Sequence, residues 1–204
     1  MKIYSAPFWI RAIYPRELIW RVPTSCREVF LTFDDGPVPE VTPLVLEILK
    51  KFNVKATFFC VGDNVQKYPE VYKQLLEEGH TTGNHTFHHV KAWKTEHHSY
   101  LSEVEQCSRL VKSNLFRPPY GQINRKLTRK LNKNYKIIMW SVITGDYDKN
   151  LSGEQCLDNA VKYTRPGSII VFHDSLKAFE RLEYALPLYI EFCKKEGYTF
   201  GILQ

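Results

Sequence analysis

The sequence predicts an α/β fold: one domain built as a closed or nearly closed barrel of seven or so β/α units. Three observations carry this. Short apolar runs alternate with amphipathic stretches along the chain, the pattern of parallel strands joined by helical crossovers. A length of 204 residues suits one well-buried domain and is short for two. Polar clusters recur at the ends of the predicted strands, where a β/α barrel gathers its function.

Taken in order, Val29 to Phe33 is an apolar run that reads as a strand. Pro43 to Phe52 follows as a helix, with Leu44, Leu46, Ile48 and Leu49 spread over one stripe. Ala56 to Val61, rich in Phe and Val, is a second strand. Glu70 to Glu78 is helical and Gly79 stops it. Thr81 to Asn84 is a short strand leading into a histidine cluster. Leu101 to Val111 has helical spacing, and Ser113 to Phe116 is a short strand. Asn124 to Leu131 is a helix and Lys136 to Val142 a continuous strand. Gly153 to Tyr163 is a helix, Ser168 to Phe172 a buried strand, Arg181 to Lys195 a helix and Tyr198 to Ile202 a last strand. No repeat, low-complexity segment or linker interrupts the series.

Residues 1–27 are expected to form an arm packed on a domain of residues 28–204. The arm carries Phe8, Trp9, Ile10, Ile13, Leu18, Ile19 and Trp20, interrupted by Arg11, Arg16 and Arg21. It lacks the unbroken apolar core and small-residue cleavage site of a secretory signal. A second reading gives residues 1–23 weak contact with a membrane surface. No run of about 18 apolar residues exists, so no membrane-spanning helix is predicted.

With 44% hydrophobic and 14% aromatic residues the composition is that of an ordinary globular protein. The charge of +6 is spread along the chain without a dense basic block, so no nucleic-acid partner is expected. Five scattered cysteines with no Cys-x-x-Cys read as buried free thiols, which suits a reducing compartment. A monomer is expected.

Five strand-end clusters carry the chemistry. Asp34-Asp35 follows Phe33 directly, and Gly36-Pro37 then turns the chain. Adjacent carboxylates repel unless a cation or a basic side chain compensates, and a cap or turn role explains only one of them. His85 and His89 lie four apart, so one helical turn would put both imidazoles on one face. Asp35 would complete a two-His, one-carboxylate set for a divalent metal, zinc first and cobalt second, leaving a position open for water. His88 reads as solvated, His80 as a core histidine, and His97 and His98 as surface residues. Arg117-Pro118-Pro119-Tyr120-Gly121 is stiffened by its prolines; it fits either a plain tight turn or a fixed backbone N–H donor, with Arg117 pairing a carboxylate. His173, immediately after a buried strand, fits either a general acid or a structural histidine.

In content and order these segments resemble the motifs of the polysaccharide deacetylases (carbohydrate esterase family four, the NodB-like domain), over about Glu28 to Gly201. The resemblance implies a distorted (β/α)7 barrel. It implies that Asp34 is the catalytic base, that Asp35, His85 and His89 bind the metal, and that Arg117 orients the base. It further implies that the Tyr120 N–H helps form the oxyanion hole and that His173 is the acid. In the fourth motif an Asp expected to tune the acid is replaced by Ile143; Asp146 matches a second Asp and Tyr147 replaces a Trp. Asp146, Asp148 and Asp174 are the candidates to supply the missing charge. Val171 stands where a Leu often lines the acetyl-methyl pocket, and Tyr147, Pro119 and Trp140 are placed in the same wall.

The reaction implied is hydrolytic removal of acetyl groups from N-acetylated sugars of a glycan. The alternatives are a metal-holding carbohydrate-binding pseudoenzyme, motivated by Ile143, and an O-acetyl esterase on the same scaffold. Absence of a signal and the thiols suggest the cytoplasm; the substrate class suggests the cell envelope.

Overall fold

The structure, a computed structural model, describes residues 4–5 and 12–204. Phe8, Trp9, Ile10 and Arg11 of the predicted arm lie outside the described residues. The eight strands are β1 (Glu28–Asp34), β2 (Thr57–Cys60), β3 (Thr81–Asn84), β4 (Leu115–Phe116), β5 (Lys136–Ile137), β6 (Val142–Ile143), β7 (Ile169–His173) and β8 (Thr199–Gly201). They form one parallel sheet in the order β5-β4-β3-β2-β1-β7-β6, with β8 alongside the start of β1. The sheet curls into a distorted (β/α)7 barrel. Its two ends, β5 and β6, are not paired with each other but joined by the irregular segment 138–141.

Seven helices among the described residues carry the crossovers: α1 (Thr42–Lys51), α2 (Gly62–Lys67), α3 (Pro69–Glu77), α4 (His97–Ser108), α5 (Arg125–Leu131), α6 (Gly153–Tyr163) and α7 (Phe179–Lys195). The period-two alternation of β1 decides what each face does. Leu31 and Phe33 join a core with α1 and α7 that includes Leu46, Leu49, Leu186 and Tyr189. Phe33 stacks between Phe58 at 4.8 Å and Phe172 at 6.1 Å. The alternate residues of β1 turn inward: Phe30 packs with Phe59, Leu115 and Ile169 in a separate apolar layer. Above it, Thr32 and Asp34 meet Arg117, so the barrel is apolar low down and polar at its mouth.

The structure departs from the sequence reading in several places; of the five cysteines read as buried thiols, Cys26 is exposed. The predicted strand Lys136 to Val142 is broken, because the carbonyls of Ile138 and Met139 turn to accept from Arg117 at 3.3 and 3.0 Å. Helix α4 starts at His97 rather than Leu101, because the Glu96 carboxylate caps it by accepting from the His98 and Ser99 N–H groups. His97 is accordingly half-buried against Asn124, 2.8 Å away, rather than a free surface residue. Helix α2 was invisible in the sequence: six residues with only Gly62 and Val65 buried carry no apolar period.

The arm runs along both ends of the sheet. Ile19 bridges Ile138, Ser5 bridges Val142 and Arg21 bridges Ser168, while Leu18 and Trp20 are buried.

Candidate active site

The mouth of the barrel holds a cavity of about 410 Å³ walled by Asp34, Asp35, His85, His89, Pro118, Tyr120, Trp140, Ile143, Tyr147, His173 and Lys177. Most of the residues singled out in the sequence therefore meet in one place.

The Asp34-Asp35 pair divides by backbone conformation. Asp34 ends β1 facing inward and is 4% exposed. Asp35 has φ 84°, a left-handed conformation rare for a residue with a Cβ, and it sends the second carboxylate another way. Asp34 Oδ1 accepts from Arg117 Nη1 at 2.6 Å, whereas Asp35 Oδ1 lies 3.2 Å from His89 Nε2 and 3.8 Å from His85 Nε2. The turn is held from three sides. Asn64 Nδ2 donates to the Asp35 carbonyl at 2.8 Å, Gly36 N–H donates to Asp174 Oδ1, and Asp174 N–H donates to the Asp34 carbonyl.

His85 and His89 do not sit on a helical turn. Their segment is an irregular loop in which Thr86 (φ 63°) and His89 (φ 54°) are left-handed, and these reversals bring the two rings to 5.0 Å. The N-terminal N–H groups of α2 fix this loop: Gly62 and Asp63 donate to the carbonyls of Thr86 and Phe87. Asn84 Oδ1 adds a bond from the Thr86 N–H. Neither Asn64 nor α2 was found from the sequence, which offered only polar residues without periodicity.

The donor set fits a metal. His85 Nδ1 lies 2.7 Å from the Arg117 carbonyl, which can only accept, so Nδ1 carries the proton and the Nε2 lone pair faces Asp35. Ligand atoms of Asp35, His85 and His89 all lie within 4.8 Å of one another. Burial holds the pKa of His85 well below its ordinary value and lowers that of His89, keeping both neutral as ligands must be.

Arg117 is fully buried and donates from all three guanidinium nitrogens. Besides Asp34 and the two carbonyls, Nη1 donates to Thr32 Oγ1 at 2.8 Å, and the guanidinium lies 4.0 Å from the Phe59 ring centroid. Burial pulls its pKa down and the Asp34 carboxylate opposes that pull. Next to it, Pro119–Gly121 forms a 3-10 turn in which Tyr120 is left-handed at φ 60°. The Tyr120 N–H has no acceptor among the described residues. Its ring is half-exposed and lies 4.7 Å from the His89 ring.

Across the cavity, Asp146 is the partner of His173. Its Oδ1 lies 2.8 Å from His173 Nδ1 and its Oδ2 accepts from the His173 N–H at 2.7 Å. Of the three aspartates that could replace the charge displaced by Ile143, it is Asp146, at the turn after β6, that reaches the end of β7 with both oxygens. Asp148 instead accepts from Asn150 within its own turn, and Asp174 accepts from Thr42 Oγ1 at 2.7 Å beneath the Gly36 turn. Burial works against the His173 imidazolium, but the Asp146 charge and hydrogen bond outweigh it and push its pKa up to about 9. Arg181, unremarked in the sequence, donates from Nε to the Asp146 carbonyl at 2.6 Å and so anchors the turn.

Two predicted wall residues are displaced. Val171 precedes His173 by one strand repeat, is fully buried and does not reach the cavity. Pro119 opens the 3-10 turn and is buried; Pro118, extended just before it, supplies the proline face. Trp140 and Tyr147 do line the wall, and Ile143 adds an apolar surface. Of the other histidines, His80 is buried with Nδ1 accepting from the Ala56 N–H, and burial lowers its pKa to about 4. His88 is exposed but paired with Glu103 at 2.9 Å.

Residues 21–138 match the polysaccharide deacetylase family. A peptidoglycan-N-acetylglucosamine deacetylase of Bacillus cereus is 38% identical over 160 residues, 75% of this chain and 58% of that one. A second B. cereus protein of the same name is 33% identical over 188 residues, covering 89% of this chain and 88% of its own length. The crystal structure of the Bc1960 peptidoglycan N-acetylglucosamine deacetylase superposes with a TM-score of 0.89 at 33% identity, over 97% of this chain and 94% of that one. A Bacillus anthracis pseudoenzyme of carbohydrate esterase family four, at 26% identity, superposes with a TM-score of 0.81 over 91% of this chain and 67% of its own. Fold, site and likeness agree, and the chain belongs to the polysaccharide deacetylase family.

Proposed function

We propose that the chain is a metal-dependent N-deacetylase, hydrolysing the acetamide of N-acetylated sugars in a glycan of the cell-envelope type. The observation that carries this is the pairing of a base held by Arg117 with an acid held by Asp146, on opposite sides of one cavity. A module that only binds sugar has no use for both, which argues against the pseudoenzyme reading that Ile143 prompted.

Asp35, His85 and His89 would hold the metal, zinc being the ion their two nitrogens and one oxygen suit. Such an ion supplies Lewis acidity, making water acidic near neutral pH and polarising a carbonyl. Asp34 takes the proton of the attacking water; Arg117 Nη1 donates to its carboxylate and aims it, at 2.6 Å. The Tyr120 N–H, fixed by the left-handed turn, donates to the oxygen that becomes negative as the carbonyl carbon turns tetrahedral. His173, held as an imidazolium by Asp146, gives its proton to the amine nitrogen so that the carbon–nitrogen bond breaks and acetate leaves. No covalent link to the protein is needed.

The test is acetate release from chitin oligomers and from peptidoglycan fragments, with enzyme as prepared, stripped by chelator, and reloaded with zinc or cobalt. Release that disappears with chelation and returns with metal is the expected result. Release that survives complete removal of metal would overturn it.

A further inference from the structure

The positive charge is less even than its total suggests. Residues 106–145 carry nine of the 28 Lys and Arg and none of the 22 Asp and Glu. Of the nine, Arg117 serves the active site and Arg109 pairs with Glu105 at 3.3 Å. The fold gathers most of the others on α5. Every exposed residue of this helix is cationic, namely Arg125, Lys126, Arg129 and Lys130, while Leu127, Thr128 and Leu131 are buried. Such an arrangement works against folding. Arg125 and Arg129, and likewise Lys126 and Lys130, are like charges four apart, a spacing that weakens a helix. The first turn holds two cations and no acid, against the helix dipole. Among the described residues no ion pair relieves any of the four.

The arm completes this surface. Arg16 joins Arg125 and Arg129 around a pocket of about 410 Å³, lined also by Tyr14 and Glu17. Glu17 forms no ion pair with any of the three arginines. Ile13, beside the lining residue Tyr14, is 67% exposed. In the sequence Phe8, Trp9 and Ile10 come just before it. The pocket adjoins the catalytic mouth: the Tyr14 O–H donates to the Gly121 carbonyl at 3.2 Å, and Gly121 follows Tyr120 of the cavity wall.

We propose that this face rests on an anionic phospholipid surface, with Arg16, Arg125 and Arg129 closing on a headgroup phosphate and Ile13 entering the acyl boundary. Guanidinium groups match phosphate oxygens with paired N–H donors. Cations gather at an anionic leaflet, and an apolar side chain beside them gains by leaving water. A soluble polyanion would use the cations and leave Ile13 in water. A nucleic acid strand would call for exposed aromatic faces to stack its bases, and α5 offers none. Through the bond from Tyr14 to Gly121, the attached face sets the catalytic cavity beside the bilayer.

Sedimentation of the full chain with vesicles tests this, using phosphatidylcholine alone and phosphatidylcholine mixed equally with phosphatidylglycerol. The measurement needs no turnover, so it stands apart from the deacetylase reading. Wild type should pellet with the mixed vesicles and not with the neutral ones, and high salt should release it. Each cation near such a surface is worth about fivefold in partitioning, so Arg125→Gln with Arg129→Gln should lower it by about 25-fold. Arg125→Lys with Arg129→Lys should retain most of it, and Ile13→Ser should lower it several-fold. Thermal melts should show the double Gln variant at least as stable as wild type, because like charges are relieved, which separates lost binding from lost folding. No pelleting with mixed vesicles overturns the inference, as does pelleting that survives Gln at Arg125, Lys126, Arg129 and Lys130 together. Tighter binding to soluble poly(glycerol phosphate) than to vesicles, with Ile13→Ser without effect, overturns it too and gives the face to a soluble polyanion.

Discussion

Replacing Asp146 by Asn removes one charge and almost no volume, which makes it a sharp probe of the acid. Asp146 is fully buried and touches His173 twice, at 2.8 Å through Nδ1 and 2.7 Å through the backbone N–H. The asparagine oxygen can keep one of these bonds, so the fold of the turn survives while the charge is lost. With Asp146 the imidazole pKa is raised from its ordinary 6.5 to about 9 despite burial. At about 1.4 kcal/mol per tenfold change in proton affinity, that is on the order of 3 kcal/mol of preference for the imidazolium. Without it burial dominates, and the pKa returns to the ordinary value or below. At pH 7.5 the acid is then protonated in about one molecule in ten or fewer, and kcat should fall at least about tenfold. The assay is the pH profile of acetate release: the alkaline limb should move from near pH 9 to below about pH 6.5. Stability should follow the same sign. A histidine pKa raised on folding stabilises fully below 6.5, and that contribution is lost as pH rises through 9. The variant should therefore be less stable than wild type at pH 6 and nearly equal to it above pH 9. An alkaline limb that stays in place in Asp146→Asn would refute the assignment of His173 as an acid tuned by Asp146.

Other perturbations separate the remaining roles. Asp34→Asn should bind zinc within a few-fold of wild type by calorimetry yet lose roughly 10²–10⁴ in kcat; near-full turnover would remove Asp34 as the base. Arg117→Met strands the buried Asp34 carboxylate and two carbonyls, so urea denaturation should show a loss of about 3–5 kcal/mol, with Arg117→Lys restoring only part. Gly121→Ala combines a positive φ of 65° with a Cβ 2.5 Å from the Trp140 ring, so the cavity wall must shift; KM should rise while metal affinity, read by cobalt absorption, stays put.

The sequence discloses regular elements wherever one physical signal dominates. Gly153–Tyr163 begins and ends where the apolar pattern says, and the parallel barrel follows from the alternation of units. It misleads where a tertiary demand overrides the pattern. The run Lys136 to Val142 is mostly apolar and so reads as one strand, but a buried guanidinium more than twenty residues upstream draws its carbonyls out of the ladder. Spacing of four suggested a helical turn for His85 and His89; the rings do meet, but through left-handed backbone at Thr86 and His89 that no periodicity encodes. The partner of His173 is narrowed to Asp146, Asp148 and Asp174, and the choice among them depends on which turn folds back over β7. That is a matter of three-dimensional approach, and three aspartates close in sequence all satisfy the chemistry.

The course of the arm has a consequence for the order in which the molecule can be finished. Tyr4, Ser5, Ile19 and Arg21 precede every strand, yet their partners Ile138, Val142, Ile143 and Ser168 lie in the last third of the chain. Contacts so distant in sequence form late, since closing long loops costs entropy before it is repaid. Until then the apolar side chains of Leu18 and Trp20 stay uncovered and the exposed rims of the sheet have no edge guard. A shortened version starting at Glu28 would leave those rims open permanently, beside Trp140 and Ile143 in the cavity wall.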